Sequence, residues 1–529
     1  MAPPVCHPEP PLGALTHRTT KQSWRYERLP TVILRARVER YVVRCLESQP
    51  FCRLQALDCL DIQLREVATL GMDERMRESV EAAIKSVDAQ YVEVHIEEAS
   101  SSGIRYRGRE LEEIGRGNAL GGSVRALAGG GWGFTSFNDL SDLQAKVRMA
   151  VDQARIVVGE HIELAEVPTV VDHVPARIAM DPMGVSLPDK KALLDQYVEI
   201  MMGTKGVQSS SVSYNDSKRH MVFANSEGSY IDQERVDVNM RLAATARDGS
   251  EVQQSGTSLG SLGDYAFVQT LHEDAQEVAE KAVALLNAPT IKGGEYTVIL
   301  DPILAGVFIH EAFGHLSEAD HIYAEPRLQE LMRPGKLFGG KHLNVKDGAT
   351  VPQPTLRGSY LYDDEGVQGQ ETDLIREGVL VGRLHSRETA AKLGERPTGN
   401  ARALNYRFAP IVRMTNTFIV PGTNTVEDLF EGVEDGLYVK NWYGGMTSME
   451  MFTFSAGEAY RIRNGKIEEL CRPVMLSGNV FSTLHNLDMV GNDLGMNEGG
   501  GCGKAGQGPL PVSNGSPHIR IQKCLIGGA

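Results

Sequence analysis

The stretch Glu295–Asp320, EYTVILDPILAGVFIHEAFGHLSEAD, constrains this chain more than any other. Tyr296–Leu300 reads as a strand, and the apolar run after it reads as a helix carrying His310, Glu311 and His315. The apolar side chains from Ile303 to Ile309 drive that helix into a core. Burial then penalises the ionisable groups at its end unless they are paired or bound to an ion. Any fold for this chain must place a strand, a buried helix and a polar site in immediate succession.

Two imidazoles and a carboxylate are the donor types of a metal site, here read as zinc, with Glu311 as general base. The familiar H-E-x-x-H pattern sets its histidines at i and i+4 on one helix face. HEAFGH spaces them five apart, which turns an ideal α-helix about 140° beyond a full turn. Both rings can face one ion only if the helix widens, most simply as a π-type bulge. Gly314 stands where such a distortion is tolerated. The plain alternative is that His310 and His315 are ordinary core or surface histidines.

Such a site needs a third ligand. Glu318, Asp320 and His321 lie close in sequence, as ligands or as partners of ligands. Cys502, in GGGCGKAGQ, is the distant candidate: its glycines let the backbone approach and expose the sulfur, and Lys504 can favour the thiolate. The alternative for Cys502 is a buried apolar thiol, for which so many glycines make poor packing material. The same loop does not make a phosphate-binding P-loop, because Glu498 stands where the first Gly belongs and Ala505 follows Lys504. His385, Asn400, Arg402 and Tyr406 carry donors suited to an oxyanion.

The length of 529 residues exceeds one ordinary core and divides best into domains. Residues 1–71 are Arg-rich, hold Cys6, Cys45, Cys52 and Cys59 in no zinc-finger spacing, and read as a poorly ordered extension. Residues 72–290 read as an α/β N-terminal domain. Its elements are helices over Met72–Val87, Asp139–Val158 (capped by Asp139 or Ser141), Lys190–Met202 and Asp264–Ala288, a half-buried strand at Tyr91–Glu97, and a twisted antiparallel sheet between Val207 and Val252. Residues 291–529 read as a β-rich, barrel-like catalytic C-terminal domain carrying the metal-site helix, so the fold class is α+β in two domains. Strands are expected at Val379–Leu384, Ile411–Val420, Tyr438–Trp442 and Ile519–Ile526, and Ala324–Gly340 reads as a lid or substrate-facing loop.

A net charge of −15 argues against a nucleic-acid partner, which needs clustered Lys and Arg. No apolar run is long enough for a membrane helix, and the N-terminus has no apolar signal core. Seven cysteines without a CxxC pair fit reduced thiols, hence a cytoplasmic protein.

HEAFGHLSEAD followed far downstream by CGKAGQ resembles the TldD/PmbA family of metallopeptidases, specifically its active TldD-like subunit. GGWGFTSFNDL from Gly130, GVLVGRLHSRETAAKLG from Gly378 and RMTNTFIVPG from Arg413 carry the same likeness, which covers roughly Met72–Ala529. The resemblance implies a two-domain subunit with one zinc ion, His310, His315 and Cys502 as its ligands, and Glu311 as the base that activates a zinc-bound water. It implies a peptidase, endo- or exo-acting, for unfolded proteins or peptides held in an enclosed cavity between subunits. It also implies a heterodimer with a TldE/PmbA-like subunit that lacks the metal motif, or a homodimer. Two competing readings are a non-catalytic regulator of DNA gyrase or of toxin–antitoxin pairs, and a metal-dependent hydrolase acting on a non-peptide bond.

Overall fold

From residue 91 onward the backbone runs in long, mostly antiparallel strands. β1 (Tyr91–Arg107), β2 (Glu110–Ala128), β3 (Gly131–Phe137), β4 (Val171–Val174), β5 (Val207–Asn225), β6 (Tyr230–Asp248) and β7 (Glu251–Leu262) form a seven-stranded sheet. The order is β3-β2-β1-β5-β6-β4; β7 takes the far length of the same β6 edge that β4 uses, and β4 runs parallel to β6. The computed structural model describes residues 74–157, 161–351, 353, 355–448 and 450–527. The expectation for residues 1–71 therefore lies outside the described residues, as does the start of the first helix, whose described part spans 74–85. Arg77–Ala529 forms one compact unit.

Three local expectations for this half need correction. The Tyr91–Glu97 segment is buried on both faces rather than half-buried, because Glu93 is fully enclosed and its carboxylate is met by Arg125 of β2 at 2.7 Å. Alternation here separates apolar from ion-paired positions, not core from solvent. The second helix spans Leu143–Ile156 and is capped by Asp142, whose side chain accepts the Ala145 N–H at 3.0 Å, while Asp139 is occupied by Ser141. The long helix expected over Asp264–Ala288 divides into a 3₁₀ turn, Ala266–Thr270, and a helix, His272–Leu286. That helix and Leu187–Gly203 pack on the sheet over a core that includes Tyr197, Met201, Tyr214, Met240 and Ala282.

In the second half the metal-site stretch lies at the seam of two sheets. β8 (Gly294–Leu300) pairs in parallel with Asp435–Ser448 and antiparallel with Ile519–Gly527. Ile519–Gly527 continues to Met475–Asn479 and this to Met451–Arg463, which pairs back onto Asp435–Ser448, so the strands close into a barrel. A six-stranded sheet lies beside it, in the order Val379–Leu380, Glu371–Arg376, Val345–Gly348, Asn416–Ile419, Ser513–Ser516, Gly495–Asn497. The helix Pro302–Ile309 packs against both, touching the barrel strand Asp435–Ser448 and the sheet strands Asn416–Ile419, Ser513–Ser516 and Gly495–Asn497. Gly306 makes this possible: a Cβ there would sit 2.8 Å from the Gly515 backbone. The fold class is thus α+β, with a closed β-barrel in the half that carries the metal-site helix.

The stretch Ala324–Gly340 is not a free loop. It contains the helix Pro326–Leu331, and Leu328, Met332 and Phe338 are buried in the same core as the site helix. Its polar composition hid three well-spaced anchors. The expected strands at Val379–Leu384 and Ile411–Val420 are shorter than their apolar runs, forming Val379–Leu380, Ile411–Val412 and Asn416–Ile419.

Candidate metal centre

Asp301 ends β8 and starts the site helix. Its carboxylate accepts the Leu304 N–H at 2.9 Å and the Asn441 N–H at 3.1 Å, with Pro302 in the first helical turn. The helix is apolar on every side, and Leu304 to Ile309 are all buried, so it can only run through the core. Phe308 meets Phe452 and Phe454 edge-on at centroid distances of 5.5 and 6.0 Å.

At His310 the helix widens. His310–Gly314 is one π turn, closed by the His315 N–H donating to the His310 carbonyl, and His315–Ser317 then tightens to 3₁₀. This is the distortion the five-residue spacing predicts. Its cause at Gly314 differs from the expected one. Gly314 has ordinary helical angles, φ −56 and ψ −50, and needs no special backbone freedom. An added Cβ would instead overlap the Met414 sulfur, so glycine is there to let a buried side chain approach.

The widened turn brings three donors together. One ligand atom each from His310, His315 and Cys502 lies within 4.8 Å of the others. His315 Nε2 is 3.5 Å from Cys502 Sγ and 3.9 Å from a Glu311 carboxylate oxygen. His310 and Cys502 are each 3% exposed, and His310 Nδ1 is a buried ring nitrogen without a hydrogen-bond partner among the described residues. Two imidazoles and a thiol with converging donor atoms, one imidazole carrying a buried nitrogen without a partner, fit a zinc ion, which takes nitrogen and sulfur donors. Burial alone would raise the Cys502 thiol, but His310 and then His315 bring it down to about 5, which favours the thiolate.

A carboxylate behind His315 orients it. Glu318 is fully buried, and its Oε2 accepts from His315 Nδ1 at 3.0 Å and from Lys504 Nζ at 3.0 Å. Its other oxygen takes the Met414 N–H at 3.3 Å. Burial would raise this carboxyl, but His315 and Lys504 hold it at about 2. With its proton on Nδ1, His315 presents the Nε2 lone pair to the site.

Lys504 has another role than expected. Its ammonium is spent on Asp320 (2.7 and 2.8 Å), Glu318 and the Val412 carbonyl (2.9 Å), so the histidines rather than Lys504 lower the thiol. Asp320 thereby serves the lysine, and His321 is exposed. The four oxyanion candidates are also engaged by neighbours. His385 is bonded to Glu395, Asn400 to Asp347, Arg402 to the Met414 and Pro511 carbonyls, and Tyr406 to Asn138.

Residues 92–155, 181–287 and 293–528 match, in turn, the PmbA/TldA metallopeptidase domain 1, central domain and C-terminal domain. The chain belongs to the PmbA/TldD metallopeptidase family. Among relatives of this PmbA/TldD protein, a metalloprotease of Synechocystis is 46% identical over 442 residues, 83% of this chain and 95% of the relative. A zinc metalloprotease TldD homolog of Saccharolobus solfataricus is 32% identical over 421 residues, 78% of this chain and 91% of the relative. At that level the activity is that of a TldD-type metalloprotease. Two solved structures share the fold. A candidate modulator of a DNA gyrase from Thermotoga maritima has a TM-score of 0.69 at 20% identity, covering 86% of this chain and 100% of that one. TldE from Thermococcus kodakarensis has 0.67 at 18%, with the same coverage. No helix among the described residues of this PmbA/TldD protein is long and apolar enough to cross a membrane.

Two residues that shape the centre escape local sequence reasoning. Arg413, fully buried, donates to the Cys502 carbonyl at 2.7 Å and the Gln507 carbonyl at 3.1 Å, clamping the hairpin Gly501–Lys504/Gln507–Pro511. Met414 fills the space beside Gly314. Both fall in RMTNTFIVPG, a stretch whose composition says only that it is a strand.

Proposed function

We propose that this metalloprotease is a zinc-dependent peptidase in which His310, His315 and Cys502 hold one zinc ion and Glu311 is the general base. The carrying observation is the convergence of the three donor atoms within 4.8 Å, with the Glu311 carboxylate 3.9 Å from His315 Nε2. Bound there, zinc supplies Lewis acidity to a scissile carbonyl and acidifies water. Glu311, half-buried at the end of the site helix, accepts the proton of the attacking water and passes it to the leaving amine. Glu318 keeps His315 in one tautomer, and Arg413 fixes the backbone that carries the thiolate.

The substrates are unfolded proteins or peptides, acted on in the cytoplasm. The working assembly pairs this chain with a TldE/PmbA-like subunit or with a second copy; the structural likeness to a TldE supports a partner of that class. The catalytic domain begins after residue 290. The test is metal content and cleavage of an unfolded polypeptide by wild type and Glu311→Ala, with and without chelator. Wild type should contain zinc and cleave, chelator should abolish cleavage, and Glu311→Ala should lose it by about a hundredfold or more while keeping the metal. Cleavage by Glu311→Ala at the wild-type rate would refute the assignment.

A further inference from the structure

A cavity of about 230 Å³ shares a wall with the hairpin that carries Cys502. Leu510, paired directly with Cys502 across that hairpin, lines it, as does Pro511. Arg235 and Arg402 line it too, and among the described residues neither has a carboxylate at ion-pair distance. Arg402, 4% exposed, donates to the carbonyls of Met414 at 2.6 Å and Pro511 at 2.8 Å. Arg235 donates to the carbonyls of Ser359 at 3.3 Å and of Arg357. Each guanidinium has five N–H donors, so each keeps donors beyond those its two neutral carbonyls occupy.

Arg177 and Asp364 line the same cavity, and two other arginines nearby are ion-paired. Arg219 is paired with Glu97 at 3.1 and 2.6 Å, and Arg357 with Asp237 at 2.8 Å through both nitrogens. Of the carboxyls in the wall, Glu234 is held by Lys218 at 3.1 Å and Asp364 accepts the Ala403 N–H at 2.7 Å. Burial, then the charge of Glu365, lifts Asp363 well above the ordinary carboxylate range. Burial, then the charge of Arg402, pushes Arg235 down to about 10. The charge of Arg402 opposes that of Arg235, and Asp237, Asp347 and Asp364 offset these cations only from beyond ion-pair distance, which leaves both guanidiniums open to a contacting anion. Neither arginine hydrogen-bonds to His310, Glu311, His315 or Cys502; Arg402 reaches the metal centre only through the Met414 carbonyl.

We propose that Arg235 and Arg402 form a subsite that holds the C-terminal carboxylate of a peptide substrate. This rests on the peptidase reading of the adjoining metal centre. A planar guanidinium fork matches a carboxylate in two parallel hydrogen bonds. Leu510, which lines the cavity, is the direct cross-strand partner of Cys502, so the subsite shares a hairpin with the metal centre. Such anchoring favours cleavage near the C-terminus over cleavage in the middle of a chain.

The test is calorimetric titration of zinc-loaded Glu311→Gln protein with a short unstructured peptide bearing a free C-terminal carboxylate, with the same peptide as its C-terminal amide, and with inorganic phosphate. The acid should bind at least about tenfold more tightly than the amide, a charge-assisted pair of hydrogen bonds being worth that or more. Arg235→Gln should bring the ratio close to one, and Arg235→Lys, which keeps the charge without the fork, should leave an intermediate ratio. Arg235 takes the substitutions because Arg402 is buried and holds the Met414 and Pro511 carbonyls; zinc content and melting temperature check that the variants keep their fold. Equal binding of acid and amide would overturn the proposal, and so would an unchanged ratio in Arg235→Gln. Phosphate binding with no preference for the acid would assign the cavity to a free anion and overturn it equally. Binding is read apart from cleavage. Discrimination without any cleavage by wild type would sink the peptidase reading and leave the carboxylate subsite standing, whereas cleavage without discrimination would remove the subsite alone.

Discussion

Gly314→Ala separates packing from backbone freedom as the reason for the glycine in the π turn. The backbone angles at Gly314 are those of an ordinary helix, so alanine's propensity alone should favour the variant by about 1 kcal/mol. Packing opposes it. The new Cβ would overlap Met414 Sδ and lie 3.2 Å from its Cε. Met414 is fully buried, its N–H bonded to Glu318 and its carbonyl to Arg402, so the side chain yields first and any remaining backbone shift strains both of those bonds. Overpacking of this kind costs about 1–3 kcal/mol, which leaves a net destabilisation of about 1 kcal/mol. The strained Met414 N–H is the one that steadies Glu318, and Glu318 orients His315, so zinc affinity should fall about tenfold.

Urea unfolding and competition with a chromophoric chelator read these two effects. The double variant with Met414→Ala sharpens them. Met414→Ala alone opens a cavity and should cost about 2–5 kcal/mol. In the Gly314→Ala background it also removes the clash, so the two changes should be coupled by about 1–3 kcal/mol in the favourable direction. A Gly314→Ala protein at least as stable as wild type with unchanged zinc affinity would refute the packing account, and so would strict additivity in the double variant.

Two further outcomes follow from the same region. Glu318→Gln keeps an acceptor for His315 but removes the charge shared with Lys504; zinc affinity should drop about 10- to 100-fold by chelator competition, and an unchanged affinity would show that His315 does not depend on Glu318. Glu498, beside the Gly-rich loop, is raised by burial from 4.5 to about 7. A carboxyl raised in the folded state stabilises the fold below about 4.5 and withdraws that stabilisation as pH climbs through about 7. The shift corresponds to at most about 3 kcal/mol, reduced to about 1 kcal/mol for a part-exposed group. Glu498→Gln should therefore gain about 1 kcal/mol on wild type between pH 5 and pH 8 in urea unfolding, and a stability difference that does not change with pH would count against it.

What could be read in advance depended on whether the physical cause was local. The π turn was legible because two histidines five apart on an unavoidably buried helix leave few ways to meet, and the whole cause lies within His310–Gly314. The glycines around Cys502 made it a candidate and the family resemblance made it the implied ligand, but it lies 187 residues from His315 and no periodicity records a contact across that distance. Lys504 misled for the converse reason. Its nearness to Cys502 in sequence suggested an electrostatic partner, yet the hairpin shifts register between Cys502 and Lys504 and sends the ammonium to Glu318 and Asp320. The same holds for Glu93, whose polar position read as solvent-facing until β2 supplied Arg125. Strands of the seven-stranded sheet were foreseen at Tyr91–Glu97 and between Val207 and Val252, but not β4 and not the order, because pairing between β1 and β5 is fixed by cores that fill only when distant segments meet. In each case the residue type announced that a partner was needed, and only the fold could say which one. Arg235 and Arg402 stand in that position now: the fold gives them neutral carbonyls, a cavity and carboxylates only beyond ion-pair distance, and the contacting anion we propose for them is the carboxylate of a substrate.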